Sequence, residues 1–295
     1  MTEGRLEAGH PTTSVVVPVR NAADLLGVQL EALGRQRDCP TFEVIVSDNG
    51  STDSTVEVAW ALAGAFDSFT VVDSSGSRGV AHARNAGARA SRGEFVLFCD
   101  ADDEVGHRWT GAMSRALQVH DLVGGRNEYS KLNSDRAMGR SVQAAVTGLP
   151  TTFGYLPYAV GCNLGVRRRV FDALGGFDRS YLGGHEEVDF AWRAQEAGYT
   201  LGFAAEAVVH YRLRPELSGA IRQFYGYGFS SEQLRARFAH SVGPAPTGRD
   251  EVRTILRLAG SAHRILSARR GHLILDIAYH SGRWSRLVRA RGVSP

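Results

Sequence analysis

The first hundred residues alternate between short apolar runs and stretches with helical spacing, and this alternation is the feature that most restricts the fold. Each apolar run has five or six residues rich in β-branched and aromatic side chains, which is typical of a strand buried on both faces. Helices are predicted between them over 25–33 and 80–90. A β–α–β–α order indicates an α/β fold with a mostly parallel sheet and right-handed crossovers. The four predicted strands are 14–19, 42–46, 69–73 and 94–99.

The remainder of the chain is less regular and divides into two further parts. Mixed polarity with two prolines predicts an excursion or flap over 125–160. The strand and helix patterns then resume as far as about residue 210, and a helical, arginine-rich region follows Pro215. We therefore expect three parts, spanning 12–125, 126–215 and 216–295. In the second part, helices are predicted at 168–174 and 187–197, and strand segments at 201–203 and 207–210.

Charge is distributed unevenly along the chain. The formal net charge is +3, yet residues 212–295 carry 15 basic and 5 acidic side chains, so the sequence before them is acidic. Such a basic segment favours an anionic partner. Three cysteines without metal-ligand spacing suit a reducing cytoplasm. The first eleven residues lack the apolar core of a secretory signal, and no apolar run is long enough to span a bilayer. These features predict a cytoplasmic protein.

Three aspartates follow the fourth predicted strand within four residues, at Asp100, Asp102 and Asp103. Ligands bind at the carboxyl ends of strands in open α/β sheets, so these carboxylates lie where a ligand is expected. Three neighbouring carboxylates repel one another unless a positive group joins them, and a hard divalent cation would do so. A solvated turn with a helix-capping aspartate explains the same pattern. The cluster alone leaves both interpretations open.

Four motifs occur together along the chain, and in them it resembles the family 2 glycosyltransferases. The resemblance covers about residues 14–214. It implies a GT-A fold, with a mostly parallel, Rossmann-like sheet flanked by helices, here followed by a helical C-terminal extension. It also implies an inverting enzyme that uses a nucleotide sugar. The motifs are SVVVPVRN (14–21), VIVSDNGSTDST (44–55), GVAHARNAG (79–87) with FCDADDE (98–104), and GGHEEVDFAWR (183–193).

The resemblance assigns donor binding to the first part of the chain, 12–125. Asp48 would accept the ring N–H of the base, which favours uracil or thymine and hence a UDP- or dTDP-sugar. An aspartate in a polar turn is the alternative interpretation of Asp48. The guanidinium of Arg84 would reach the diphosphate or the base, and Asp100 would contact the ribose. The implied nucleotide-sugar-binding residues are Pro18, Val19, Asn21, Asp48, Arg84 and Asp100.

The resemblance also implies a divalent metal, Mn²⁺ or Mg²⁺, that bridges the diphosphate. Asp102 matches the metal-binding acid of the family. His210 ends a predicted strand where many family members have a metal-ligand histidine. Histidine beside oxygen donors suits Mn²⁺ somewhat better than Mg²⁺. A structural role is the alternative for a single histidine at a strand end.

The second part, 126–215, would contain the catalytic base and the acceptor side. Glu187 stands at the second acid of the family's Glu-Asp-x-Asp motif, which is the general base, and Glu186 is the alternative. This chain departs from the motif because glutamate replaces the usual aspartate. Acids at a helix N-terminus also have a purely structural explanation. Asn163 and Asp189 are assigned to the acceptor side, Asp189 with a structural role as the alternative.

The resemblance and the C-terminal sequence together define what we expect of the reaction. The glutamine-arginine-tryptophan motif of processive polysaccharide synthases is missing after residue 211, which favours addition of a single sugar. The alternatives are a sugar-1-phosphate nucleotidyltransferase, whose glycine-rich loop is absent after the first strand, and a non-catalytic nucleotide-sugar-binding protein. The acceptor is expected to be a glycan, a lipid-linked molecule or a small molecule. A nucleic-acid partner is not predicted, because the basic segment has no recognised motif and its aromatic residues cluster.

The basic extension, 216–295, has two interpretations. Segments 221–238 and 273–288 mix arginine with large apolar residues, as helices do that lie on an anionic bilayer. Peripheral contact with the inner face of a membrane would bring the enzyme close to a membrane-linked acceptor. Helices whose basic faces are solvated and whose apolar faces pack on the catalytic part would have the same composition.

Overall fold

The computed structural model describes residues 12–139, 148–243, 246–260 and 270–292. The first eleven residues, on which the absence of a signal was argued, and 140–147 of the expected excursion lie outside the described residues. The strands are β1 (Thr13–Val19), β2 (Phe42–Asp48), β3 (Phe69–Asp73), β4 (Phe95–Phe98), β5 (Glu104–Val105), β6 (Leu122–Glu128), β7 (Leu164–Arg167) and β8 (Leu201–His210). The helices are α1 (Leu26–Gly34), α2 (Thr55–Ala61), α3 (Val80–Ala90), α4 (Trp109–Leu117), α5 (Asp135–Met138), α6 (Arg168–Ala173), α7 (Glu186–Glu196), α8 (Leu217–Arg237), α9 (Ala239–Val242), α10 (Gly248–Gly260) and α11 (Arg270–Gly292).

The described strands form one mixed sheet in the order β3-β2-β1-β4-β7-β6-β8-β5. The α/β class and the four N-terminal strands predicted from the sequence are confirmed. Strands β1 to β4 pair in parallel, as expected from their crossover helices. Strand β7 runs antiparallel to both β4 and β6, while β6 and β8 are parallel. The 12–125 and 126–215 parts of the chain therefore share one continuous sheet.

Alternate side chains of β1 enter two separate apolar clusters, one on each face of the sheet. Val15 and Val17 pack with Leu26 of α1 and Trp109 of α4. Val16 belongs to the opposite cluster, which also contains residues of α3 and α7. A strand covered on both faces has no solvated side, which explains why the sequence of β1 is continuously apolar. This packing fixes the starts of α3 and α7 near the carboxyl ends of the strands.

The C-terminal helices α8 and α11 pack tightly against each other. A Cβ at Gly228 would lie 1.8 Å from the carbonyl oxygen of Tyr279, so glycine permits the close approach. A buried ion pair joins the two helices, with Arg283 Nε 2.6 Å from Glu232 Oε1. Residue Phe238, which follows α8, packs edge-on against Trp192 of α7 with ring centroids 5.0 Å apart. The extension therefore packs on the catalytic part, and none of its described helices is long and apolar enough to cross a membrane.

Candidate functional site

The carboxyl ends of β1 and β2 form a rim from two interlocked loops. Val19 lies opposite Asp48 in the parallel ladder, with Pro18 beside Ser47. Asn21 adopts a left-handed conformation (φ 50°), and its Oδ1 accepts a hydrogen bond from the N–H of Thr52 at 2.7 Å. The structure thus brings the predicted donor residues Pro18, Val19, Asn21 and Asp48 to the same edge of the sheet.

The carboxylate of Asp48 is itself part of a turn. It accepts hydrogen bonds from the Ser51 N–H at 3.2 Å and from the Ser51 hydroxyl at 2.5 Å. Asp48 remains half-buried, so the turn does not enclose it completely. The alternative interpretation of Asp48 from the sequence, an aspartate in a polar turn, is therefore present in the structure. A contact between Asp48 and a nucleotide base remains a proposal.

Arg84 on α3 joins the acidic end of β4 to the start of α7. Its Nη1 donates to Glu186 Oε1 and its Nη2 to Asp100 Oδ1, both at 2.7 Å. The guanidinium is almost completely buried. Burial opposes its charge, but the two carboxylates outweigh this effect and raise the pKa of Arg84. The predicted donor residues Arg84 and Asp100 therefore contact each other, and both connect to one of the two candidate bases.

The acidic cluster after β4 is held by groups from the segment that follows β8. Asp102 Oδ2 lies 2.8 Å from Arg214 Nη1. Asp103 is buried, and its Oδ1 accepts from the Arg212 N–H at 2.7 Å. Burial, followed by the neighbouring aspartates, raises the pKa of Asp103 well above its usual value. Burial and the charge of Asp100 also raise the pKa of Asp102, although Arg214 opposes this.

The carboxylates of this cluster fit a hard divalent cation. Possible ligand atoms of Asp100, Asp103 and Cys162 lie within 4.8 Å of one another. Asp103 Oδ2 is buried and, among the described residues, has no hydrogen-bond partner. Oxygen ligands suit Mg²⁺ or Mn²⁺, whereas burial raises the pKa of the Cys162 thiol well above normal and so disfavours its thiolate. The predicted ligand Asp102 adjoins this group but is paired with Arg214.

His210 lies at the end of β8, opposite Glu104 in the short β5–β8 ladder. Its Nδ1 is 2.7 Å from Glu128 Oε2. Partial burial would raise the pKa of Glu128, but hydrogen bonds from Ser130 and His210 outweigh it and lower that pKa to about 2. The ionised carboxylate can only accept, so Nδ1 carries the hydrogen and Nε2 is the ring atom left for a ligand. Metal ligation by His210 is a proposal.

The two candidate bases, Glu186 and Glu187, occupy different environments at the start of α7. Glu186 is buried and held by Arg84, as described above. The Glu187 carboxylate has no ion pair or hydrogen bond with another side chain in the described part of the chain, and it faces a cavity. Burial, together with the charge of Glu186, raises the pKa of Glu187 to about 8. Glu187 is thus the acid whose carboxylate is available to a ligand.

The cavity beside Glu187 has a volume of about 400 Å³. It lies between the catalytic part and the helices α8 and α11. Sequence reasoning missed its aromatic lining, because the residues come from positions 150 apart in the chain and follow no motif. These residues are Tyr129, Tyr158, Tyr211, Phe224, Tyr227 and Tyr279.

The two residues assigned to the acceptor side are both fully buried. Asn163 accepts a hydrogen bond from the Trp109 indole at 2.8 Å and donates to the Ala207 carbonyl at 3.1 Å, so its amide connects strands to α4. Asp189 lies 2.8 Å from Arg193 Nε and 3.0 Å from Arg237 Nε. Neither of them lines the cavity. Their contacts are those of structural residues, which for Asp189 agrees with the alternative that the sequence left open.

Comparisons with known proteins agree with this architecture. The sequence model of the family described as "Glycosyl transferase family 2" matches residues 14–175. The chain is 31% identical over 208 residues to the glycosyltransferase AglE of Haloferax volcanii, covering 70% of this chain and 68% of that protein. It is 32% identical over 249 residues to the pre-mycofactocin glycosyltransferase of Mycobacterium tuberculosis, covering 80% of this chain. The chain spans about half the length of this second relative.

Solved structures show the same fold. The mannosyltransferase PcManGT of Pyrobaculum calidifontis, in complex with GDP-Man and Mn²⁺, superposes with a TM-score of 0.63 at 20% identity, covering 95% of this chain and 88% of that one. TarS 1–349 of S. aureus, in complex with UDP, gives a TM-score of 0.55 at 17% identity, with 95% and 92% covered. The GT-A type of fold implied by the sequence motifs is confirmed.

Proposed function

Since this chain belongs to glycosyl transferase family 2, we propose that it transfers one sugar from a nucleoside-diphosphate sugar to an acceptor hydroxyl with inversion. The main support for the proposal is that two adjacent acids, Glu186 and Glu187, have different surroundings. Glu186 is held by Arg84, which also contacts Asp100 on the donor side. Glu187 lines a cavity large enough for an acceptor. One arginine thus links the donor-binding motifs to the helix that presents the base.

The donor would bind along the rim formed by the ends of β1 and β2. Pro18, Val19 and Asn21 lie at this rim beside Asp48. The Asp48 carboxylate would accept the N–H of a uracil or thymine ring. The similar structures contain GDP-Man in one case and UDP in the other, which supports a nucleotide-sugar donor. Asp100 would contact the ribose, with Arg84 fixing its orientation. A UDP- or dTDP-sugar is therefore the donor class we propose.

The acidic cluster would hold a divalent cation, Mn²⁺ or Mg²⁺. Asp102 and Asp103 would supply oxygen ligands there, and His210 Nε2 is the additional ligand we propose. When bound, the cation would neutralise negative charge on the departing nucleoside diphosphate. Arg214 is the cation that pairs with Asp102 in this structure.

The chemical step would be a single displacement with Glu187 as the base. The acceptor oxygen attacks the anomeric carbon while its proton passes to the Glu187 carboxylate. The bond to the diphosphate breaks on the opposite face, and the nucleoside diphosphate leaves with the bonding electron pair. Because one base and no protein nucleophile are used, the configuration is inverted. A base with a pKa near the working pH is effective in such a proton transfer.

Membrane contact is a second proposal, and it is supported by the exposed surface of helix α10. Val252, Ile255 and Leu256 are 51–66% exposed and lie at helical spacing, so they form an apolar stripe on the surface. Arg253 on the same helix is also well exposed. By contrast, segment 221–238 covers most of α8 and the Phe238 that follows it, and 273–288 lies in α11. These two helices pack on each other. We propose that α10 rests on an anionic bilayer surface at the cytoplasmic face and brings the site near a membrane-linked acceptor.

The function is tested by donor binding followed by product analysis. A ligand at 100 times its dissociation constant stabilises the folded state by about 2.7 kcal/mol. A thermal-shift screen should therefore show a clear rise in Tm for one class of nucleotide sugar, larger with Mn²⁺ present. NMR of the product should then show the inverted anomer. A retained anomer would contradict the mechanism, and a nucleoside triphosphate with a sugar 1-phosphate as the true substrates would identify a nucleotidyltransferase instead.

A further inference from the structure

We propose that the cavity beside Glu187 accepts an uncharged, hydroxyl-bearing ring that stacks on tyrosine side chains, and that helices α8 and α11 set this specificity. The proposal rests on the proposed function, in which Glu187 is the base, and it adds the chemical class of the acceptor. It also assigns a role to the C-terminal extension, which would form one wall of the acceptor site rather than serve as packing alone.

The electrostatics of the cavity disfavour an anionic acceptor group. Among the described residues that line it, none is lysine or arginine. Burial lowers the pKa of His185 to about 4, so its imidazole is neutral at physiological pH. The charge that can develop inside is negative, on Glu187, which must be ionised to act as a base. A phosphate or carboxylate placed there would be desolvated beside a like charge. The charges of Arg84 and Arg214 act on Glu187 and Tyr227, but neither arginine lines the cavity.

The size and aromatic lining of the cavity favour a ring that stacks on aromatic side chains. Six aromatic side chains surround about 400 Å³, a volume within the usual range of small-molecule sites, about 300–1,000 Å³. Tyr129 and Tyr211 lie with ring centroids 5.4 Å apart, and Phe224 and Tyr227 5.8 Å apart. Ring faces offer apolar contact to the face of a sugar or an aryl group, while tyrosine hydroxyls can hydrogen-bond to its substituents.

The hydroxyls of the cavity remain neutral donors and acceptors. Burial raises the pKa of both Tyr158 and Tyr227 above the usual value, so neither adds negative charge at physiological pH. The Gln223 amide donates to the Tyr227 hydroxyl at 2.9 Å and orients it. Asn127 contributes a further neutral polar side chain. This set of groups can satisfy hydroxyls on a ring without requiring charge.

The wall supplied by α8 and α11 is rigidly constructed. Gly228 follows Tyr227 directly and packs against the carbonyl of Tyr279, so the two cavity tyrosines are positioned by the same helix contact. The buried pair between Arg283 and Glu232 holds α11 in place. Residues that are fixed before binding lose less conformational freedom when a ligand arrives. The spacing of the two rings is therefore set before an acceptor enters.

Binding of matched neutral and anionic rings to the full chain tests this proposal. The probes are methyl β-D-glucopyranoside against glucose 6-phosphate, and 4-methylphenol against 4-hydroxybenzoate, each measured by saturation-transfer NMR with UDP present. At least one neutral probe should bind about tenfold more tightly than its anionic counterpart, because the anion would be desolvated beside Glu187; tenfold corresponds to about 1.4 kcal/mol. The pair that shows the effect distinguishes a sugar ring from an aryl ring.

Three variants complete the test. Tyr279→Leu should weaken the neutral probe about tenfold, while Tyr225→Leu, whose side chain on α8 lies outside the cavity lining, should leave it unchanged. Phe224→Arg introduces a cation into the wall and should reverse the preference toward the anionic probe. Three results would overturn the proposal. The wild type could bind both anionic probes as tightly as the neutral ones or more tightly, or bind neither neutral probe. Phe224→Arg could also keep the wild-type preference for the neutral probe. Nucleotide-sugar binding in the same samples shows separately whether the proposed function holds.

Discussion

Replacing Arg84 with methionine should destabilise the protein strongly, because it leaves two carboxylates without their shared cation. The Arg84 side chain is 4% exposed and pairs with Glu186 and Asp100 at 2.7 Å. Removing one partner from a buried ion pair costs about 3–5 kcal/mol. We expect a loss of that order in the free energy of unfolding, measured by urea denaturation at neutral pH. The control Arg35→Met removes a surface ion pair with Glu31, in which the two side chains are 75% and 52% exposed. A loss of about 0.3–0.5 kcal/mol is expected there.

The loss in Arg84→Met should depend on pH in a defined direction. Burial already raises the pKa of Glu186, and the attraction of Arg84 opposes that rise. Without Arg84, the folded-state pKa of Glu186 moves further above its unfolded value. At low pH the variant can protonate the Glu186 carboxyl. The loss of unfolding free energy relative to the wild type is therefore smallest below the unfolded-state pKa of Glu186 and grows as the pH rises through its folded-state pKa. A loss of unfolding free energy in Arg84→Met no larger than that in Arg35→Met would refute the reasoning. A loss of equal size at acid and alkaline pH would also refute it.

Three further predictions follow from the site and the surface. Asp102→Ala should stay folded yet lose both sugar transfer and the Mn²⁺-dependent part of the donor thermal shift. Full transfer activity in this variant, or in the wild type with excess chelator, would contradict the role of Asp102 as a metal ligand. The kcat/KM for transfer should rise with pH and level off above about 8, because Glu187 acts in its ionised form; a profile without this rise would exclude that ionisation. Leu256→Glu in α10 should abolish co-sedimentation with anionic liposomes at low salt. The control Val119→Glu changes a residue that is even more exposed, at 76% against 66%, and should not affect it. Unchanged binding of Leu256→Glu would remove α10 from the interface.

The elements that the sequence predicted best are those whose pattern is local. Strand β1 is covered on both faces and is therefore continuously apolar, and the parallel arrangement follows from the crossover helices. Strand β6 was missed because it contains Gly124 and Gly125, which weaken any strand pattern. The structure explains the second glycine, since a Cβ at Gly125 would lie 2.3 Å from the Ala207 carbonyl oxygen. That constraint comes from a strand about eighty residues away and leaves no local signal.

In the candidate site, too, some features have a local sequence pattern and others depend on contacts between distant segments. The motifs placed Arg84, Asp100 and Glu186 in separate segments, and the structure joins them through Arg84, which contacts both carboxylates. The sequence could not show that Glu186 is held by an arginine while Glu187 is available, because that depends on how α3 packs against α7. Nor could it show the aromatic cavity, since Tyr129 and Tyr279 meet only through the docking of α11. Sequence motifs thus identified the residues that we propose for donor binding, whereas the cavity that we propose for the acceptor depends on tertiary packing.

The most direct test of the account is the single-turnover rate of sugar transfer by Glu187→Gln. The variant preserves the shape of the side chain and removes its basicity. We expect it to bind the nucleotide sugar as the wild type does and to transfer about 10²–10⁴-fold more slowly, the usual contribution of general-base catalysis. The wild-type rate in Glu187→Gln, or a smaller loss there than in an equally folded Glu186→Gln, would contradict the assignment of Glu187 as the base.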